Sequence, residues 1–237
     1  MRRALLAVAL AGLLLLAGCT APLQTNTAAA DADAAPTIST SGTGQVSAEA
    51  DLAVVSVAVT ARADSADDAR GQVADGVASV REALADAGVP EDAVTTAFFS
   101  VRPEYGGEDR IPDSYRAVHA LRIETDPARA GEVVDIAVGN GATEVNGVQF
   151  TLSDETRDEL RSEALAQAVD RARGDADAVA GAADLRITGV QSISVGNDYS
   201  PGPYYAETAA DARGGSTSFA PGPVTVSASV SITYAVE

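Results

Sequence analysis

In the stretch "DETRDELRSEALAQAVDRARGDADAVAGAA", alanine stands at 164, 168, 172, 176 and 180, one at every fourth position after Leu160. Side chains four apart share one face of an α-helix, so the spacing predicts a long helix over about residues 154–183 with a seam of methyl groups along one side. Nothing on that seam projects beyond a Cβ, so a sheet or a second helix can approach it closely. Ser153 precedes it as N-cap, and Asp154 and Glu155 put negative charge in the first turn, where the helix dipole favours it. Leu165, Val169 and Val179 lie beside the seam. A general bias of the chain toward alanine accounts for part of the pattern.

The other elements are shorter. "QVSAEADLAVVSVAVTARA" is β-branched with period-two stretches and reads as a long strand or a strand pair. A helix follows, capped at Asp64 or Ser65, with Val73, Val77, Val80 and Leu84 at helical spacing and Gly88 and Pro90 ending it. Gly71 and Gly76 weaken it by up to ~1 kcal/mol each, and read either as close approach of a neighbour or as tolerance at high salt. "AVTTAFFSVRPEY" and "DSYRAVHALRIET" form a hairpin with a long loop. Asp126-Pro127 opens a helix that stops at Gly139-Asn140-Gly141. "ATEVNGVQFTLS", bent at Gly147, leads into the long helix, and "LRITGVQSISVGN" and "GPVTVSASVSITYAVE" are the last strands. The order β-α-β-β-α-β-α-β-β predicts an α+β fold, with helices packed on antiparallel or mixed sheets.

The N-terminus specifies an address. Arg2 and Arg3 precede an apolar run over residues 4–17, too short for a bilayer core that needs about 20 residues. It has the form of a secretory h-region. Leu16-Ala17-Gly18-Cys19 resembles the lipobox of secreted lipoproteins, in which the cysteine takes the lipid and becomes the first mature residue. The expected division is a leader at 1–18, a flexible acidic tether at 19–42 and a domain at 43–237. Arg2-Arg3 partly resembles a twin-arginine signal, and the Sec route stays open. Cys19 is the only cysteine, so no intrachain disulfide forms and the domain rests on its own core.

Charge narrows the partners. The chain has a formal net charge of −18, contains no lysine, and loses two of its arginines with the leader. Such a surface repels nucleic acid, which is bound through basic groups on phosphates. The composition resembles that of haloarchaeal proteins, whose self-repulsion is screened in molar salt, where the Debye length is ~3 Å.

Several stretches together resemble the SIMPL-domain (DUF541) family, which includes a brucella outer-membrane antigen. They are "SGTGQVSAEAD", with Ala50 where the family has proline before Asp51, and "DAVTTAFFSVRPEY" through Thr96, Pro103 and Tyr105. "VVDIAVGNGATEVNGVQFTLSD" is the closest, through Asp135, Gly141, Ala142, Val145, Gly147, Phe150 and Ser153, followed by the alanine run. The resemblance implies an extracytoplasmic α+β domain that self-associates, with a link to stress tolerance and no demonstrated reaction.

The residues themselves assemble no catalytic set. His119 is the only histidine and reads as a satisfied strand residue rather than a general base, and no nucleophile motif surrounds any serine. The clusters Asp64, Asp67, Asp68 and Glu108, Asp109, Asp113 lack the alternation of a calcium loop and read as solvated acidic surface. No cofactor or metal is expected. The long segment 198–222 concentrates Tyr199, Tyr204, Tyr205 and Phe219, and these are the candidate protein contacts. The expectation is therefore a non-enzymatic, lipid-anchored protein acting by self-assembly or partner binding. The alternative is a surface sensor domain for a small ligand or a metal.

Overall fold

The computed structural model describes residues 35–106, 112–196, 204–205 and 217–237. These form two antiparallel sheets with helices packed on them, an α+β fold in the expected order. Of the long strand or strand pair expected near residue 45, the structure has the pair, β1 (Thr37–Ala48) and β2 (Leu52–Ala63). β1 begins inside the stretch expected as tether. Its residues 37–44 are polar and glycine-rich, so they carry little strand signal.

The larger sheet has the order β3 (Val94–Glu104), β4 (Ser114–Thr125), β2, β5 (Glu144–Thr151), β7 (Tyr204–Tyr205). β2 is its central strand and is buried on both faces, at Val55, Val57 and Val59 on one side and Val54 and Ala58 on the other. That explains its nearly unbroken apolar run. Against one face lie α1 (Ala66–Asp86) and α2 (Ala130–Gly139). Ser65 caps α1, its Oγ accepting from the Asp68 N–H at 3.1 Å. Gly76 is a site of close approach, because a Cβ there would stand 2.8 Å from Val59 Cγ1, whereas Gly71 faces open space. Asp126 caps a single 3₁₀ turn, Pro127–Arg129, before α2 begins. Gly147, at φ 141°, sits where the β2–β5 register slips and forms the expected bend.

The smaller sheet runs β1, β8 (Val224–Val236), β6 (Ile187–Val195). β8 alternates strictly, with Val224, Val226, Ala228, Val230, Ile232, Tyr234 and Val236 all buried. The long helix α3 (Asp154–Ala182) covers that face, and the alanine seam is its buried side. The opposite face is polar, with hydroxyl pairs Ser39–Thr233 at 3.0 Å and Ser47–Thr225 at 2.8 Å.

The seam meets a matching row on β1. A Cβ on Gly44 would stand 1.8 Å from the Ala164 carbonyl oxygen, and one on Gly42 would stand 1.9 Å from that of Ala168. At the next rung, the Thr40 hydroxyl donates to the Ala172 carbonyl at 2.7 Å. Two residues of strand advance about 6.7 Å and four of helix about 6 Å, so each rung of β1 meets the next alanine. Strand and helix backbones thus run in direct contact along β1. Arg171 donates from Nη1 to the Thr43 carbonyl on that flank.

Candidate interaction surface

The position of α3 leaves part of the smaller sheet bare. A helix is about 10–12 Å across and strands are about 4.8 Å apart, so one helix covers roughly two strands. Drawn onto β1 by the glycines, α3 covers β1 and β8 and stops short of β6. Across the β8–β6 pair, Val195 opposes Val230, Ile193 opposes Ile232, and Val190 opposes Tyr234. Directly opposed residues share a face. The β8 members are 1–3 % exposed, whereas Val190, Ile193 and Val195 are 53 %, 56 % and 49 % exposed.

The flank of α3 extends this surface. Arg173 lies over the Tyr234 ring at 5.5 Å, and Val169, one turn earlier, is exposed on the same flank. β6 itself ends the sheet, and among the described residues no strand pairs with its outer edge. It contains no charged residue. Two register slips, between Ile187 and Gly189 and between Val190 and Ser192, confine regular pairing to its second half. Sequence reasoning assigned these apolar residues to a strand but could not tell that their face was uncovered.

The sequence-derived site residues are placed as follows. Arg2, Arg3, Leu16, Ala17, Gly18, Cys19 and Tyr199 lie outside the described residues. Tyr204 and Tyr205 form β7, in register with Phe150 and Gln149 of β5. Phe219, expected as a protein contact, is instead partly buried in the main core, its ring 5.9 Å from that of Phe150. The end of that segment is fastened to α2. Asp135 accepts from the Thr217 N–H at 3.0 Å and from its hydroxyl at 2.6 Å, and a Cβ on Gly131 would meet the Thr217 carbonyl at 1.9 Å. Residues 217–222 are thus fastened to the core through Thr217 and Phe219, while Ser218, Ala220 and Pro221 stay exposed.

His119 is a half-buried strand residue. Its Nε2 lies 2.8 Å from the Thr96 hydroxyl, and its ring meets Phe99 edge-on at 5.5 Å. Burial, and then the Arg81 charge, push its pKa below the ordinary value. Asp51 ties the β1–β2 turn to the start of α3, accepting from the Ser153 N–H and hydroxyl, both at 2.7 Å, and from the Thr156 hydroxyl at 2.5 Å. Burial raises this carboxyl, but the Thr156 and Ser153 hydrogen bonds outweigh it and hold the group below its usual range. Asp51 and Ser153, two positions of the family resemblance, thus form a structural junction. Among the described residues no group of three or more His, Cys, Asp or Glu could hold a metal, and no helix is long and apolar enough to cross a membrane.

The chain belongs to the SIMPL family, described as a protein family of unknown function (DUF541), whose sequence profile matches residues 38–234. That span runs from the second residue of β1 almost to the end of β8, so both sheets and the three α-helices of the described residues fall within it. No curated protein matches the chain.

Proposed function

We propose that this SIMPL-domain protein is held by a lipid on Cys19 at the outer face of the cell membrane and acts there by self-assembly through β6. The observation that carries the assembly reading is the uncovered row Val190, Ile193 and Val195 beside an unpaired strand edge. Contiguous apolar surface of this kind marks interaction sites, and an open edge is a template for a further strand. A second copy is the favoured occupant. At a net charge of −18 two copies repel over most of their surfaces, but β6 has no charge and brings no like-charge pair into the contact. Antiparallel β6–β6 pairing would join two three-stranded sheets across a two-fold axis.

The test is light scattering with size exclusion on the Cys19→Ser chain in molar salt, with and without Ile193→Asp and Val195→Asp. A wild-type dimer or larger species that the aspartates reduce to a folded monomer supports β6 assembly. A wild-type monomer, or an assembly the aspartates leave intact, overturns it. The anchor is tested separately: Cys19→Ser should move the protein from the membrane to the soluble fraction, and unchanged partitioning would refute lipidation.

A further inference from the structure

The larger sheet has a second face, opposite α1 and α2, which is buried at Val54 and Ala58 of β2 but exposed toward β3 and β4. On it Arg62, Arg116 and Arg102 lie side by side on β2, β4 and β3, since Arg62 opposes Arg116 and Arg116 opposes Arg102. Like charges directly opposed on a sheet are destabilising, and here three meet in a row in a protein with twice as many acids as bases. Two of the three have counter-charges. Arg62 pairs with Glu104, and Arg116 pairs with Glu144 at 2.9 Å. Arg102 makes no ion pair among the described residues, and the row keeps one positive charge over. The surplus borders a groove of about 370 Å³ whose apolar wall is Phe98 and Val118, with Ser100 opposite Val118 and Arg102, Pro103 and Arg116 at one end beside Glu104, a carboxylate already paired with Arg62. Phe98 is 49 % exposed, an unusual placement for one of only four phenylalanines.

We propose that this groove binds a small organic carboxylate, with its carboxyl group on Arg102 and its apolar part against Phe98 and Val118. A guanidinium offers two parallel N–H donors that match a carboxylate, and a neighbouring aromatic surface rewards a ligand carrying a ring or a short chain. An acidic macromolecular partner would need only the charge. The apolar wall next to it is the reason to favour an amphiphilic acid of small size. This site lies on a different sheet from β6 and does not depend on self-assembly.

Phenylacetate is the probe, titrated into the isotope-labelled Cys19→Ser chain while backbone amide resonances are followed, beside acetate and phenylacetamide. The expected result is saturable shifts confined to β3 and β4 with phenylacetate. Both controls bind more weakly, one for want of a ring and the other for want of a charge. Arg102→Gln and Phe98→Ala should each weaken phenylacetate about tenfold, the loss of one charge-assisted contact or one apolar wall, while Arg186→Gln, just before β6, leaves it unchanged. Shifts that do not saturate, phenylacetamide binding as well as phenylacetate, or Arg102→Gln behaving like Arg186→Gln would each overturn the proposal. Dispersed spectra of the variants without ligand establish that they are folded.

Discussion

The Ala164 carbonyl oxygen lies where a Gly44 side chain would begin, 1.8 Å from the position of its Cβ. The obstacle is helix backbone, which no rotamer change relieves. Gly44→Ala therefore has to separate β1 from α3 and should cost about 1–3 kcal/mol or more. Gly174, on α3 itself, has nothing within 4 Å of its Cβ position, and Gly174→Ala should stabilise by up to about 1 kcal/mol. Opposite shifts in the denaturation midpoint check the pair; equal effects would mean that the seam is not in contact.

Half of this contact is visible in the sequence. The four-residue alanine repeat announces a helix face built for close approach, because periodicity and side-chain size are local properties. Its partner is only half visible, since "TSGTG" has no apolar alternation, residues up to 42 read as tether, and only the family resemblance marks the stretch from Ser41 as a strand. The same limit hides the candidate surface. Val190, Ile193 and Val195 have core chemistry, and only the lateral placement of α3 leaves them bare. Phe219 is the converse case, a loop aromatic whose partner Phe150 lies far away in the chain.

Asp51 gives stability a signature in pH. Its carboxyl is held below its unfolded value, so the stabilisation is fully present above the unfolded pKa of about 4 and is lost as pH falls through the folded one. Asp51→Asn should lower stability at neutral pH by about 1 kcal/mol, a modest figure because the group is largely exposed. The deficit should shrink toward zero as the wild-type residue protonates. Denaturant midpoints of both proteins at neutral pH and near pH 2.5 measure this, and a deficit independent of pH would rule the ionised hydrogen bonds out.

Salt should stabilise the domain. Exposed surface ion pairs such as Arg70–Asp67 and Arg173–Asp177 contribute little and are weakened on screening. Against them stands the repulsion among 34 acidic residues balanced by only 16 basic ones. At about 1 M ionic strength both are screened, and the larger, unfavourable sum dominates. Thermal midpoints should rise from low salt to molar sodium chloride. A flat or falling series would refute the halophilic reading of the composition.

Residues 217–222 are held from two directions, by the carboxylate of Asp135 on Thr217 and by the ring of Phe219 on Phe150. Removing the hydrogen-bond acceptor with Asp135→Ala should cost about 1–2 kcal/mol. Phe219→Ala, at a partly buried site, should cost about 2 kcal/mol, less than the 3–5 kcal/mol of a fully enclosed phenylalanine. Both act by releasing one segment, so once it has come away the second loss has little left to remove. The double variant should then be less destabilised than the sum, by about 0.5 kcal/mol or more. A double-mutant cycle in denaturant measures that coupling. Strict additivity would show that the two contacts hold the segment independently.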